Sequence, residues 1–254
     1  IALSKVRVDA VPRLLEQAFQ RLDEARGLIQ RTGTDYIQLS DIEIVLPSAP
    51  GRSPTPLTVS NLRLARNETG EIGVDGAITI NNRSARLTAS STNVDGVTAA
   101  LTARLSGLEV TPFLLQYNEN GQPREGLQSS VDFDLSATRA RGEAQQPAIT
   151  ATLHNTPGRF FFDGLEQAFS GATINVAYDF AKDAIEIGKS EARFGPTILP
   201  FTGAVMDLNR LNADETRLGF GLDLLVQGGT AVGQSQGEQP AYFDLKATGR
   251  YLSG

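Results

Sequence analysis

A chain of 254 residues, 40% hydrophobic and 20% charged, has room for one large all-β domain or two small ones and is too apolar to be disordered. A net charge of −6 with no run of Lys or Arg argues against a nucleic-acid partner and against attraction to an anionic membrane surface. Without a cysteine there is no disulfide framework, thiolate metal site or cysteine nucleophile, and no stretch approaches the ~20 apolar residues of a membrane-spanning helix.

The first 33 residues carry a helical pattern. Val11, Leu14, Leu15, Ala18, Leu22, Ala25, Leu28 and Ile29 fall on one apolar stripe, Pro12 suits a first turn and Gly33 an end. One amphipathic helix is predicted over residues 11–31, within a segment, 1–34, that packs on the rest. Its polar face mixes Glu16, Asp23 and Glu24 with Arg13, Arg21 and Arg26. That balance favours packing against a sheet over lying on a membrane.

From Tyr36 onward apolar and polar residues alternate with period two. The clearest run is Ile72 to Ile80; others centre on Leu101, Phe133, Val176, Leu222 and Leu245. Strict alternation places all apolar side chains of a strand on one face of a sheet. Turn-forming clusters such as Asn67–Gly70, Asn93–Gly96 and Asn118–Gly121 separate the runs at the spacing of an antiparallel meander. Residues 35–254 are therefore predicted as one mainly β, antiparallel domain. Its apolar face is represented by Ile78, Ile80, Leu101, Val131, Phe133, Ile174, Val176, Phe220 and Leu222. The parity slips between Ile37/Leu39 and Ile42/Ile44, and again between Leu57/Val59 and Leu62/Leu64, which predicts β-bulges and a strongly curved sheet. Leu108–Tyr117, interrupted by Pro112, reads as a connector, and 228–239 as a polar loop.

Chemical motifs are scarce. Gly233-Gln-Ser235-Gln-Gly237 matches the nucleophile elbow, but no helix follows it and the only histidine, His154, precedes the serine. Asp132 and Asp134 share a polar face around Phe133, yet no glycine-bearing calcium loop surrounds them. A lone histidine cannot build a zinc site. No enzyme activity, metal or cofactor is expected. The Gly158–Gly164 run holds Phe160 and Phe162 on one face and Phe161 on the other, so Phe161 lies under a helix or loop, or faces an apolar ligand.

The order of segments carries a resemblance. An amphipathic helix with Pro12 near its start leads to Ile37-Gln-Leu39-Ser-Asp41-Ile-Glu-Ile44, Pro56-Leu-Thr-Val59-Ser-Asn-Leu62-Arg-Leu64 and Gly107-Leu-Glu-Val-Thr-Pro-Phe113. Later come Phe169-Ser-Gly171-Ala-Thr-Ile-Asn-Val-Ala-Tyr178, Ile185-Glu-Ile187 and Leu199-Pro-Phe-Thr-Gly203. In pattern and texture this resembles the AsmA-like proteins of Gram-negative bacteria, the group that includes AsmA, TamB and YhdP. The resemblance implies a periplasmic segment of an envelope protein tethered to the inner membrane. It implies a long curved sheet whose open apolar groove shields phospholipid acyl chains on their way to the outer membrane, and no catalytic residues. Because the chain starts at Ile1 and stops at Gly254 near strand-like residues, it reads as a piece of a longer protein, with membrane contacts made by regions outside it. The competing reading is a closed β-sandwich, structural or adhesive, without a lipid ligand.

Overall fold

Periodicity-two sequence resolves into strands and the 3.6-residue stripe into a helix. A computed structural model describes residues 11–40, 42–46, 55–80, 82–140, 147–206, 219–231 and 241–252. Helix α1 spans Val11–Thr32. Gly33 ends it at φ 66°, donating its N–H to the Ile29 carbonyl at 3.0 Å, the left-handed cap that a side chain would strain.

Strands β1 (Tyr36–Leu39), β2 (Ile42–Leu46), β3 (Thr55–Arg66), β4 (Ile72–Ile80), β5 (Arg83–Val94) and β6 (Val97–Glu109) follow. After the short helix α2 (Thr111–Leu114) come β7 (Gln116–Tyr117), β8 (Pro123–Gln128), β9 (Ser130–Thr138) and β10 (Ala148–Asn155). The chain continues through β11 (Gly158–Phe162), β12 (Leu165–Phe169), β13 (Gly171–Asp179), β14 (Ala184–Phe194), β15 (Thr197–Met206), β16 (Gly219–Ala231) and β17 (Ala241–Leu252). Thirteen strands form one antiparallel sheet in the order β1-β3-β4-β5-β6-β9-β10-β13-β14-β15-β16-β17, with β2 beside β1 on the same edge of β3. The order only rises, so the sheet is a meander, and its ends do not pair: it is open, not a barrel. The mainly β, antiparallel fold expected from the alternation is what forms.

The meander leaves the sheet twice, from β6 to β9 and from β10 to β13. These two excursions build a second, four-stranded sheet in the order β12-β11-β8-β7, a flap rooted on the main sheet. Of the predicted connector 108–117, Leu108 and Glu109 instead complete β6 on the main sheet, and the rest, with α2 and β7, begins the flap. The predicted polar loop 228–239 is likewise strand at its start, since β16 runs to Ala231; 232–239 lie outside the described residues.

Bulges sit where the parity slips. In β3, Asn61 and Leu62 stand between the pairs Ser60–Ala77 and Arg63–Asp75, with Asn61 at φ 53°. The earlier slip is a full break: β1 and β2 are separate strands on one edge of β3. Further register shifts fall on β6 at Ala99 and at Ser106–Gly107, on β14, on β16 and, in the flap, on β8. The one at Gly107 and the one on β16 are built alike. Gly107 (φ 75°) donates its N–H to Asp132 Oδ1, and Gly228 (φ 69°) donates to Asp244 Oδ1, both at 2.7 Å. An aspartate on the facing strand thus satisfies the amide that the extra residue frees from the ladder. One oxygen of Asp132, a residue singled out from the sequence, is engaged in this way.

Helix α1 packs on the sheet, though its buried stripe is rotated from the predicted one. Phe19, Leu22, Arg26 and Ile29 are buried, while Leu28 is exposed. Leu22 and Ile29 pack with Ile37, Leu64, Ile72, Val74 and Leu101. The predicted stripe omitted Phe19 and placed Arg26 on the polar side. Arg26 goes inside because its guanidinium finds partners there: Asp23 at 2.7 Å, the Asn93 side chain and the Gly96 carbonyl.

Candidate functional site

Register decides which side chains share a face, because directly paired residues on antiparallel strands point the same way. One line of pairs crosses the sheet: Ile37–Leu64–Val74–Ala89–Ala103–Leu135–Ala151–Val176–Ile187–Gly203–Leu224–Ala247. Every member is aliphatic or glycine. The adjacent line on one side runs Leu87–Leu105–Phe133–Leu153–Ile174. On the other, Leu101 pairs Ala137, and further along Ile185, Val205 and Leu222 pair in turn. The alternate face is polar, as in Arg63–Asp75–Thr88–Arg104–Asp134–Thr152–Asn175.

Seven of the nine positions singled out from the sequence lie on this one apolar face: Ile78, Leu101, Val131, Phe133, Ile174, Val176 and Leu222. Ile80 and Phe220 belong to the same strands, with backbones paired to Arg83 and Tyr251, but their side chains lie outside the described residues. The seven are spread over β4, β6, β9, β13 and β16. They mark a surface rather than a point.

Burial along the face is uneven, and that unevenness is informative. Under α1 and at crowded pairs it is high: Ile72 is 0% exposed and Val131 4%. Ile174, Val176, Ile187, Leu222, Leu224 and Val226 are only half-buried, as are Leu64, Val74 and Leu101 beside the helix, whereas Ala151 and Tyr178 of the same face are buried. The rings of Phe160 and Phe169, from the flap, meet Phe194 of β14 at centroid distances of 5.3 and 5.4 Å, joining the flap to the end of the main sheet.

A polar latch fixes α1 at the rim of this face. Asp23 Oδ1 accepts from Thr98 N–H at 2.8 Å and from Thr98 Oγ1 at 2.7 Å, and Thr98 is 0% exposed. Arg139, following β9, reaches Asp23 Oδ2 at 3.3 Å and grips Glu16. Burial alone would raise the Asp23 carboxyl; the two Thr98 hydrogen bonds and the charges of Arg26 and Arg139 outweigh it and hold it below the usual carboxylate value. The bond to Glu16 leads the causes that push Arg139 up. Sequence reasoning placed Glu16 and Asp23 on a solvated helix face. Nothing in the local pattern marks Thr98 or Arg139, which lie 75 and 116 residues from Asp23, as their partners.

His154 is an exposed residue of β10 whose Nδ1 lies 3.2 Å from Thr173 Oγ1. Asp134 lies 3.7 Å from Arg104 on the polar face. A hollow of about 520 Å³ on that face is lined by Thr88, Ser90, Thr102, Arg104, Asp134 and Ser136 among others, and is open to water. Phe161 is buried. It pairs with Gly126, whose missing Cβ would collide with the Leu114 carbonyl, so it lies on the face that α2 covers. This is the helix-or-loop outcome, with α2 rather than α1 as the cover. No group of three or more His, Cys, Asp or Glu suited to a metal occurs among the described residues. Ser235 and its elbow-like motif lie outside them.

Comparison of the chain with protein families, with curated proteins and with solved structures yields no match.

Proposed function

We propose that this chain is a lipid-shielding segment, whose open apolar face accommodates phospholipid acyl chains in an AsmA-like envelope protein of the periplasm. The observation that carries the reading is the unbroken aliphatic line across the sheet, in which Val176, Ile187 and Leu224 are only half-buried. A closed sandwich buries its inner face between two layers; among the described residues the second sheet has four strands against thirteen, and the two ends of the large sheet do not pair with each other. Contiguous apolar surface beyond a few hundred Å² on a soluble protein marks a binding surface.

The chemistry suits a sliding chain. Each acyl methylene withdrawn from water gains about 0.8 kcal/mol, and the gain is nearly the same at every position along a uniform aliphatic wall. Such a wall holds a lipid without trapping it. No reacting group is required, and this reading assigns no catalysis, metal or cofactor. Phospholipid is the partner.

The test is capture. A photo-crosslinking residue at Phe133, Ile174 or Val176 should yield phospholipid adducts in cells, and native mass spectrometry of protein prepared without detergent should show bound lipid. If no adduct forms at any of the three while the same positions are shielded from water, the face is a dry core and the sandwich reading replaces this one.

A further inference from the structure

We infer that the distal tip of the flap is a membrane-contact element, inserting apolar side chains into the interfacial region of a bilayer. This rests on the lipid-shielding reading for its purpose but not for its geometry. The flap is rooted on the main sheet where β8 runs into β9, β10 into β11 and β12 into β13. The register Arg159–Gln128 and Gly158–Phe169 marks that root. The pair Phe162–Leu165 marks the opposite end, where Asp163 (φ 48°) and Gly164 (φ 78°) form a tight two-residue turn. Gly164 donates its N–H to the Arg124 carbonyl at 2.9 Å, which ties this turn to the start of β8. Tyr117, paired with Pro123, stands at the same end.

The tip is apolar and bare. Phe162 is 66% exposed, Leu165 75% and Tyr117 57%. Phe162 shares a strand face with Phe160, and Phe160 touches Phe194 on the main sheet. An apolar track therefore leads from the tip toward the main sheet.

Area selects the occupant. At about 200 Å² per large side chain, the three expose on the order of 400 Å² between them, about half of the ~800 Å² that each partner buries in a stable protein–protein interface. A narrow, convex hairpin end suits insertion into a fluid surface better than a flat docking patch. Arg124, the cation near the tip, is paired with Glu125 at 3.6 Å, and Arg159 at the root with Glu166 at 3.4 Å. Asp163 and Glu119 add negative charge. The partner is accordingly a zwitterionic lipid surface, bound without help from anionic headgroups.

The absence of cysteine allows a clean test. Phe162→Cys, carrying an environment-sensitive fluorophore, is mixed with phosphatidylcholine vesicles. Tyr242→Cys, on the far edge strand, is the control. Position 162 should brighten about threefold with a blue shift while 242 stays unchanged, and adding Leu165→Asp should weaken vesicle binding about tenfold or more. Because Phe162 and Leu165 are exposed, circular dichroism of both variants should match the parent. No change at 162, an equal change at 242, or binding that requires anionic lipid and disappears in high salt would overturn the inference. So would a signal that appears without vesicles and dilutes away, which would mark a second copy of the chain as the occupant. Lipid captured on the sheet with a silent tip refutes the tip alone; a responsive tip with no lipid on the sheet refutes the groove alone.

Discussion

Val176→Asp separates an open apolar face from a dry core. Val176 sits mid-strand in β13, paired with Ala151 on one side and Ile187 on the other, and is half-buried. Full burial of a valine is worth roughly 1.5–3 kcal/mol, so a half-buried one forfeits about 1 kcal/mol on replacement. The poorer strand preference of aspartate adds up to about 1 kcal/mol. On an open face the carboxylate keeps its water, and the expected total is about 2 kcal/mol. Val131 is the internal contrast: it is on the same face but 4% exposed. There the carboxylate loses its hydration, and Val131→Asp should cost about 4 kcal/mol or more. Urea unfolding followed by circular dichroism gives both values, provided the slope m is shared. If Val131→Asp does not fold, its outcome is simply a cost above the stability of the parent. The reasoning is refuted if Val176→Asp is as damaging as Val131→Asp, because the face is then uniformly sealed.

The Asp23 latch should show in acid. A carboxyl held below its unfolded value of about 3.9 contributes stability that is present above that pH and is lost as pH falls through the folded value. Asp23→Asn should lower stability at neutral pH by about 1.5–3 kcal/mol and flatten the acid limb of the melting-temperature profile; an acid limb identical to the parent's would exclude the latch. Gly126→Ala should cost about 2 kcal/mol or more, since φ is 117° and the new Cβ meets the Leu114 carbonyl. Hydrogen exchange should then quicken first in 114–128, and uniform quickening across the sheet would count against a local effect. Ser235→Ala should leave lipid capture unchanged, and labelling of Ser235 by a fluorophosphonate probe would contradict the non-enzymatic reading.

Much of the sheet was legible because each strand writes its own facing. The run Ile72 to Ile80 and the run Gly171 to Asp179 show their buried parity without reference to neighbours, and register then only has to align them. The slip at Leu57/Val59 to Leu62/Leu64 marked the β3 bulge for the same reason. What stayed illegible depends on distance in sequence. The flap draws β7 and β8 from one excursion and β11 and β12 from another, and no local signal says that two separate insertions will pair. The helix stripe was misplaced by one residue column because Arg26 is polar by composition and buried by partnership. Its partners, Asn93 at the end of β5 and Gly96 in the turn that follows, lie 67 and 70 residues away.

The bulges bear on continuity of the surface. Each inserts one residue, and an inserted residue turns every later side chain of that strand to the opposite face. The sequence compensates. In β6 the apolar parity moves from Leu105 to Leu108, facing Phe133 and Val131. In β16 it moves from Val226 to Gly229, facing Leu245 and Phe243, whose ring lies 2.7 Å from where a Gly229 Cβ would stand. In β14 it moves from Ile187 to Ser190 and Ala192. The strand bends, and the aliphatic face continues through the bend. Two polar side chains that point inward, Ser91 and Ser190, are spoken for: Ser91 Oγ accepts from the Ile72 N–H and Ser190 Oγ from the Asn175 N–H, each at 3.0 Å. An acyl chain crossing the strands past β9 would therefore meet curvature without a row of free polar groups to stop it. A dry core needs volume filled, but it does not need that uninterrupted path from strand to strand.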